Sequence, residues 1–497
     1  MFRERLSGIR PISMKILILN PPHLSIGSRL AGEHLPPLGL LSIGGPLIDA
    51  GHEVQLYDAD YYNSDVNTIF KFVNSYKPEI LLIGHSGSTS AQPIINFLTK
   101  EIKHQNNKIL IILGGVFPTF HWKEILSSNT QIDYIVKGEG EHIVLELIGC
   151  IDRKIPTENV LGIAFTKNGI PFSNQDAPLI EDIDQYRIGW ELMNGYNYTY
   201  WGKKKAVVIQ FSRGCPYPCT YCGQSIFWKK WRHRNPQKLV DEIEMLHYKY
   251  GIEVINFADE NPSSVPKAWR TFLEILSSKN LNLILVGSIR SDNVVRDKDF
   301  LHLYKKAGFE RLLLGIENYS EETLKLIKKS GSKSKDMEAI QLLRKHDILS
   351  MATLVVGFGE EKTSDYFYNL KQLLQYDPDQ IQLLYATPHH WTPYFDEVKN
   401  KKIINLDQTQ WDYKHQILES NHLKSITILI YVKLIEVIMQ TRPKALIRLF
   451  FHKDKRLRKA MKWYSNIGKR VWFFEIYSYL KNLKNEKRKP LLDFWKS

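Results

Sequence analysis

The chain has 497 residues, of which 43% are hydrophobic, and this composition is typical of a globular protein with two or three domains. No long uncharged apolar run predicts a membrane span, and residues 1–13 are basic and lack the apolar core of a signal peptide. The four cysteines have no paired spacing, which argues against a disulfide-stabilised secreted protein and indicates a cytoplasmic location.

The formal net charge of +14 is unevenly placed. Residues 424–497 contain 19 Lys and Arg and 5 Asp and Glu, so this segment accounts for the whole excess. Basic helical segments of this kind either present a solvated face or contact the surface of an anionic membrane. A nucleic-acid-modifying enzyme is a less favoured alternative that this basic tail leaves open.

Residues 15–150 alternate short apolar runs with helix-length segments. The runs are residues 15–19, 54–57, 80–83, 109–113 and 133–136. Short continuous apolar runs are typical of strands buried on both faces of a parallel sheet. This half is therefore predicted to be a doubly wound open α/β sheet.

Polar or glycine-rich loops follow the predicted strands of this first half. Since ligands of open α/β sheets bind beyond the carboxyl ends of the strands, these loops predict a ligand site, although each alone could be a plain turn. The candidate residues are Pro22, His23, Gly84, His85, Ser86, Gly87, Ser88, Gly114, Gly115, Gly138 and Glu139.

Residues 156–205 connect the two halves and contain a predicted hairpin at 162–172, around Asn168-Gly169. From Ala206 the alternation resumes, with strand candidates at 206–211, 252–257, 283–288, 311–316, 352–358 and 380–386. Asn235, Pro236 and Gly251 mark the start and end of the first helix. Six such units predict a six-stranded partial β/α barrel, whose chemistry belongs at the carboxyl ends of its strands.

Cys215, Cys219 and Cys222 follow the first of these strands in a C-x3-C-x2-C spacing. Three thiolates on one short loop can hold three irons of a four-iron cluster, which leaves the fourth iron open to a small ligand. A zinc site with His233 as the fourth ligand, or a disulfide, is the competing interpretation.

This cysteine motif resembles that of the radical S-adenosylmethionine (SAM) superfamily, and Tyr221, before the last cysteine, fits the same pattern. The resemblance implies that the open iron binds the amino and carboxylate groups of SAM, which one electron cleaves to a 5′-deoxyadenosyl radical. Carboxylates at the barrel mouth can accept the SAM ammonium group, and Arg290 can pair with its carboxylate. The SAM-binding residues expected on this basis are Tyr221, Gly223, Asp259, Glu260, Asn261, Ser288, Arg290 and Glu317.

The first half is similar to the cobalamin-binding domains that precede many radical SAM barrels, so its strand-end loops are expected to bind cobalamin. The D-x-H-x-x-G motif, whose histidine binds cobalt, is missing from the sequence. We therefore expect no histidine ligand from that motif. The expected segments are a cobalamin-binding domain (14–155), a connector (156–205), a radical SAM barrel (206–400) and a basic helical region (401–497).

Longer strings resemble the anaerobic magnesium-protoporphyrin IX monomethyl ester oxidative cyclase family. Among them are Asn20-Pro-Pro-His23, Gly84-His-Ser-Gly-Ser-Thr-Ser90, Arg187-Ile-Gly-Trp-Glu191 and Phe257-Ala-Asp-Glu-Asn-Pro262. The resemblance implies closure of the isocyclic ring of protochlorophyllide with oxygen from water, a porphyrin substrate, and an electron donor such as ferredoxin or flavodoxin. One alternative is a cobalamin-dependent radical SAM methyltransferase, or another radical SAM enzyme, that acts on a different substrate. A second is a porphyrin- or cobalamin-binding carrier without catalytic activity.

Overall fold

A computed structural model of the protein describes residues 13–22, 32–84, 89–329, 331–482 and 489–490. The chain divides into two compact units, one of residues 1–25 and 36–196 and the other of residues 26–35 and 197–497. The segment boundaries expected from the sequence remain predictions.

The first unit is built on a seven-stranded sheet of order β2-β1-β3-β4-β5-β6-β7. Its strands are β1 (Lys15–Asn20), β2 (Glu53–Asp58), β3 (Ile80–Ile83), β4 (Leu110–Gly114), β5 (Tyr134–Val136), β6 (Ile163–Lys167) and β7 (Ile170–Ser173). Its helices are α1 (Leu38–Asp49), α2 (Val66–Tyr76), α3 (Gln92–Gln105), α4 (Val116–Ser128) and α5 (Gly140–Asp152), with short 3₁₀ helices at Thr157–Asn159 and Trp190–Met193. The first five strands are parallel, and their order is that of a flavodoxin-like doubly wound sheet, which confirms the predicted fold class.

The predicted hairpin is also present, as the antiparallel pair β6–β7 at the edge of this sheet. Its two turn residues, Asn168 and Gly169, have φ angles of 51° and 79°. Positive φ at both central positions matches the right-handed twist of the flanking strands, which is why Asn-Gly favours two-residue hairpins.

The second unit contains a sheet of order β16-β15-β14-β13-β12-β9-β8 and two short two-stranded pairs, β10–β11 and β17–β18. The strands are β8 (Thr199–Tyr200), β9 (Lys204–Ile209), β10 (Ser212–Arg213), β11 (Arg232–His233), β12 (Val254–Phe257), β13 (Ile284–Ile289), β14 (Phe309–Glu317), β15 (Leu349–Val356), β16 (Gln380–Tyr385), β17 (Lys402–Ile403) and β18 (Lys489–Pro490). Six strands of the large sheet are parallel, as predicted for a partial barrel, and β8 adds a short antiparallel edge.

Helices alternate with the parallel strands along the chain, and further helices follow the last of these strands. They are α6 (Gln224–Trp228), α7 (Pro236–Tyr250), α8 (Pro266–Lys279), α9 (Ser291–Arg296), α10 (Leu301–Ala307), α11 (Glu321–Leu326), α12 (Lys333–Lys345), α13 (Thr363–Tyr376), α14 (Pro393–Val398), α15 (Ser425–Thr441), α16 (Pro443–Phe451) and α17 (Lys455–Asn482), with 3₁₀ turns at Pro262–Ser264, Lys298–Phe300 and Gln408–Gln410. The predicted caps of α7 are confirmed: the Asn235 side chain accepts from the Gln237 and Lys238 amides, and Gly251 has a φ of 67°. None of the helices in the described part of the chain is long and apolar enough to cross a membrane.

The C-terminal helix α17 belongs to the barrel core rather than to a purely solvated tail. Its Leu457, Ala460 and Met461 pack in one cluster with the first residues of several barrel strands, such as Val254 and Ile284. Because strands begin at the amino-terminal end of a barrel, α17 closes that end. The opposite end is the mouth, where the cysteine loop lies.

Candidate active site

Asp259, at the end of β12, fixes the chain where it enters the cysteine loop. Its carboxylate accepts hydrogen bonds from the Phe211 amide at 2.9 Å, the Ser212 amide at 2.5 Å and the Ser212 hydroxyl at 2.6 Å. Burial raises the pKa of Asp259 to about 7, and the bonds from Ser212 oppose that shift. The contacts of Asp259 are therefore to the cysteine loop, while its contact with SAM remains a prediction.

Gly214 directly precedes the first cysteine and lies where the start of the cysteine loop passes close to the segment that follows the loop. Ser212–Arg213 pair antiparallel with Arg232–His233, and a Cβ atom on Gly214 would lie 2.7 Å from the Lys230 carbonyl oxygen. The φ of Gly214 is 92°, a conformation that L side chains rarely adopt. Glycine is thus required for the loop to close on itself.

The cysteine side chains of this loop are free thiols, with Cys219 buried and Cys215 and Cys222 half-buried. Burial raises the pKa of all three thiols; nearby Glu260 raises those of Cys215 and Cys222 further, and the Arg290 cation lowers those of Cys215 and Cys219. Within the described residues, no group of three or more His, Cys, Asp or Glu side chains has the spacing of a metal site. The donor set nevertheless fits iron, because one short loop supplies three cysteine sulfurs, and the Arg290 cation lies near two of them.

Glu260 differs from the other predicted acidic residues of the mouth. Its half-buried carboxylate makes no hydrogen bond to any part of the chain that the structure describes, and it lies near Cys215 and Cys222. Burial raises the pKa of Glu260 to about 7, and the neighbouring Asp259 adds to that rise. A carboxylate that is poorly solvated and lacks a partner is suited to receive a cationic ligand.

Glu317 closes another side of the mouth and does have a partner. It has a φ of 69° and follows a register shift between β14 and β15, so the bulge redirects its side chain. Its carboxylate pairs with Lys329 at 3.2 Å. Sequence reasoning missed Lys329, which lies in a run of lysines with no motif to distinguish it.

Arg290 stacks on the cysteine loop. Its guanidinium carbon lies 3.7 Å from the centroid of the Tyr217 ring, and its Nε and Nη2 atoms each donate to Asp292 at 2.9 Å. The cation therefore contacts the loop between Cys215 and Cys219 through the ring of Tyr217. Pairing of Arg290 with a SAM carboxylate remains a prediction beside these contacts.

Some of the remaining predicted SAM-binding residues pack in the interior, and others lie at the mouth of the barrel. Tyr221 is partly buried against an apolar cluster, and burial together with Glu317 raises its pKa. Asn261 is fully buried and bonds Ser264 and Asn293, while Ser288 is half-buried in β13. A Cβ atom on Gly223 would lie 2.2 Å from the Trp391 indole nitrogen, which brings the loop after β16 onto the cysteine loop.

The strand-end loops of the first unit lie at the carboxyl edge of its sheet. Gly115 combines a φ of 113° with a ψ of −173°, a conformation open essentially to glycine alone. The Gly138 amide donates to Thr119 at 3.0 Å, and buried Glu139 accepts from the Ile180 amide at 2.9 Å. Pro22, Gly84 and Gly114 also lie at strand ends, whereas His23, His85, Ser86, Gly87 and Ser88 are outside the described residues.

His142, in the first turn of α5, was not predicted from the sequence. Both of its ring nitrogens are buried and lack hydrogen-bond partners among the described residues, and burial lowers its pKa. Buried polar atoms without partners are rare in folded proteins. Their position after β5 fits a bound polar group at this edge, although the only sequence signal was the adjacent Gly138-Glu139 loop.

Comparison with known proteins identifies the same two domains. The radical SAM superfamily matches residues 209–367, and the B12 binding domain family matches residues 26–148. The first domain implies a [4Fe-4S] cluster and SAM, and the second implies cobalamin. The solved structure of OxsB, a cobalamin-dependent S-adenosylmethionine radical enzyme with aqua-cobalamin bound, superposes with a TM-score of 0.70 at 17% identity, covering 96% of this chain and 74% of that chain.

At least three curated relatives carry the same name. The anaerobic magnesium-protoporphyrin IX monomethyl ester cyclase of Synechocystis is 50% identical over 97% of both chains. That of Rubrivivax gelatinosus is 29% identical over 90% of this chain and 81% of its own length. The chain belongs to the anaerobic magnesium-protoporphyrin IX monomethyl ester cyclase family of radical SAM proteins with a B12-binding domain.

Proposed function

We propose that this protein closes the isocyclic ring of protochlorophyllide on magnesium-protoporphyrin IX monomethyl ester, using oxygen from water. The observation that carries the proposal is the 50% identity to the Synechocystis cyclase over 97% of both chains. Four relatives named as methyltransferases or methylases are 22–26% identical, so methyl transfer is the less supported alternative.

The cysteine loop would supply the protein ligands of the cluster. Cys215, Cys219 and Cys222 would bind three irons and leave the fourth open. When bound, the cluster and SAM supply one-electron cleavage of a sulfonium and the abstraction of a hydrogen atom from the substrate. Asp259 and Arg290 would keep the loop in place during this chemistry, because one binds its entry and the other stacks on Tyr217.

Glu260 would accept the ammonium group of SAM. Its carboxylate makes no hydrogen bond to the described residues and lies beside two of the cysteines. A charge-assisted hydrogen bond in this poorly solvated position would both hold and orient the ligand. The other contacts proposed for SAM are Tyr221, Gly223, Asp259, Asn261, Ser288, Arg290 and Glu317.

Cobalamin would bind at the carboxyl edge of the first sheet. Gly84, Gly114, Gly115 and Gly138 would let the backbone approach the flat ligand, as glycines do where no Cβ intervenes. Pro22, Glu139 and the residues 23 and 85–88 complete the proposed site. His142 is a further candidate, because its buried ring nitrogens lack partners in the described part of the chain.

Two partners belong to the proposal. The substrate is a porphyrin, and the electron for SAM cleavage would come from a reduced carrier such as ferredoxin or flavodoxin, whose potentials suit a low-potential cluster. Contact of the basic C-terminal region with a membrane surface is proposed as well.

The test is anaerobic reconstitution with iron, sulfide and cobalamin, followed by measurement of SAM cleavage with and without the porphyrin ester. We expect cleavage coupled to loss of the ester and appearance of protochlorophyllide. Alanine at Cys215, Cys219 or Cys222 should abolish cleavage, while Cys150→Ala, in α5 of the other unit, should retain it. Methyl transfer from labelled SAM to the porphyrin would support the methyltransferase, and porphyrin binding without SAM cleavage would support a carrier.

A further inference from the structure

The exposed face of α15 is apolar along its whole length. Ile426, Ile430, Leu434 and Val437 recur every three or four residues and are all exposed. The opposite face of the helix is also apolar, with Ile428, Val432, Ile435 and Met439 buried. Single exposed apolar residues are ordinary, but a helix that is apolar on both faces is normally covered on both.

Helix α16, which follows α15 in the chain, also exposes apolar side chains. Ile447, Phe450 and Phe451 are exposed on it. The Lys462 ammonium group of α17 lies 5.6 Å from the centroid of the Phe450 ring, so the apolar surface borders a cationic one.

The solvent face of α17 changes from cationic to aromatic along the helix. At helical spacing the exposed residues are Lys455, Lys459, Lys462, Lys469 and Arg470, followed by Phe473, Tyr477 and Leu480. Residues at these spacings share one side of a helix. The other side packs into the barrel through Leu457, Ala460 and Met461.

The cations of this region fall into two sets. Arg442 and Arg448 bind Asp377 at 2.8 and 2.7 Å, Arg456 pairs with Glu310, and Lys433 pairs with Glu475. These pairs attach the helices to the barrel or to one another. The second set, which we call the lysine stripe, makes no ion pair with the described residues and points away from that packing. It consists of Lys455, Lys459, Lys462, Lys469 and Arg470.

The positive charge of the lysine stripe indicates what kind of partner covers this surface. A two-fold contact centred on the lysine stripe would bring that stripe against itself, and like charges repel. A membrane with acidic headgroups offers phosphates to the lysines and acyl chains to the neighbouring aromatic and aliphatic side chains. A helix with cationic and apolar side chains on its exposed face binds in the plane of the membrane interface.

We propose that α15, α16 and the solvent face of α17 form a lipid-facing surface that docks on an anionic bilayer without crossing it. Ile430, Leu434, Phe451, Phe473 and Tyr477 enter the boundary between headgroups and acyl chains, while the lysine stripe of α17 binds lipid phosphates. This inference rests on the membrane contact proposed above for the C-terminal region and names its helices and lipid chemistry, and it does not depend on the cofactors.

The test is flotation of the full-length holoprotein with lipid vesicles under anaerobic conditions. Vesicles of phosphatidylcholine are compared with vesicles containing about one-third phosphatidylglycerol, at low and high salt. We expect binding to the anionic vesicles to be at least about tenfold tighter, and to weaken as salt screens the charges. Replacement of Lys459, Lys462 and Lys469 by Gln should remove that preference.

A matched pair of variants, Tyr477→Ala and Tyr248→Ala, tests the apolar contribution to vesicle binding. Both tyrosines lie on helices of the second unit, and their exposed fractions are 64% and 70%. We expect Tyr477→Ala, and more so with Phe473→Ala, to weaken vesicle binding about tenfold, whereas Tyr248→Ala leaves it unchanged. All variants should keep the Tm and the SAM cleavage measured without lipid.

Three outcomes would overturn the proposal. They are equal binding to both kinds of vesicle, equal losses for Tyr477→Ala and Tyr248→Ala, and a concentration-dependent dimer in sedimentation velocity that Phe473→Ala dissociates. The last would assign the surface to a second copy of the chain.

Discussion

The Asp259 carboxylate binds both the amide and the hydroxyl of Ser212, at 2.5 and 2.6 Å. A residue that follows strand β12 thereby fixes the chain where it leaves the neighbouring strand β9 and enters the cysteine loop. A carboxylate shared by three donors positions backbone, and the geometry of three sulfurs depends on that backbone.

Asp259→Asn should lower the iron content of the reconstituted protein. Asparagine offers one acceptor oxygen in place of two. If that oxygen stays on the two Ser212 donors, the side-chain NH2 group faces the Phe211 amide, and two buried donors are left unsatisfied. We expect about half of the wild-type iron per chain or less, and a Tm lower by several degrees. Iron assay and thermal melting measure both, with the exposed Asp299→Asn as the control. Full iron loading in Asp259→Asn would show that the loop is fixed by other contacts.

Glu260→Gln should weaken SAM binding without removing the cluster. The neutral amide cannot form the charge-assisted bond to an ammonium group, which is worth about 1.5–3 kcal/mol. KM for SAM should therefore rise about tenfold or more at unchanged iron content. An unchanged KM would place the ammonium group elsewhere at the barrel mouth.

Gly223→Ala should disturb the cysteine loop by crowding alone. Gly223 has a φ of −80°, which alanine adopts freely, but the new methyl group would lie 2.2 Å from the Trp391 indole nitrogen. We expect SAM cleavage to fall by about tenfold or more, as for overpacked sites. Adding Trp391→Ala should restore part of it.

The control for this crowding is Gly149→Ala. Apart from its chain neighbours and the backbone of its own helix, no atom of the described residues lies within 4 Å of the Cβ position of Gly149 in α5, so its replacement should be neutral or slightly stabilising. Equal losses in the two variants would point to a general effect of alanine rather than to contact with Trp391.

Glu361→Gln should change how thermal stability depends on pH. The Glu361 carboxylate accepts from the Gly357 amide and the Tyr366 hydroxyl, both at 2.7 Å, and burial raises its pKa from 4.5 to about 7. Because the folded pKa exceeds the unfolded one, this carboxyl stabilises the fold below pH 4.5, and its contribution is lost as pH rises through about 7.

Glutamine keeps both hydrogen bonds but does not titrate. Relative to the variant, the wild type should lose up to about 3 kcal/mol between pH 5 and pH 8. Scanning fluorimetry over that range should show the Tm of Glu361→Gln rising relative to the wild type. A Tm difference independent of pH would show that Glu361 titrates normally.

Local chemistry explains why much of the fold was predictable. The strand at residues 80–83 was predicted at its observed bounds, because its apolar run is buried on both faces. Asn235, Pro236 and Gly251 defined α7, and Asn168-Gly169 defined a hairpin, since each residue type suits the φ its position requires. Strand β8 was missed because two residues carry no periodicity.

The site was less predictable because its contacts are long-range. The sequence placed Asp259 and Arg290 at the barrel mouth, but not their partners Ser212 and Tyr217 on the cysteine loop. The ion-pair partner of Glu317 is Lys329, which lies in a loop without a recognisable sequence motif. In α17 the apolar residues that close the barrel alternate with lysines, so the basic composition concealed a core helix.

The most direct measurement is mass spectrometry of the product formed by the reconstituted protein in water enriched in heavy oxygen. The porphyrin ester, SAM and a reduced electron carrier are supplied in the absence of O2. The account predicts protochlorophyllide whose ring ketone carries the heavy oxygen, formed only when Cys215, Cys219 and Cys222 are intact. A methylated porphyrin, or unchanged ester despite SAM cleavage, would contradict it.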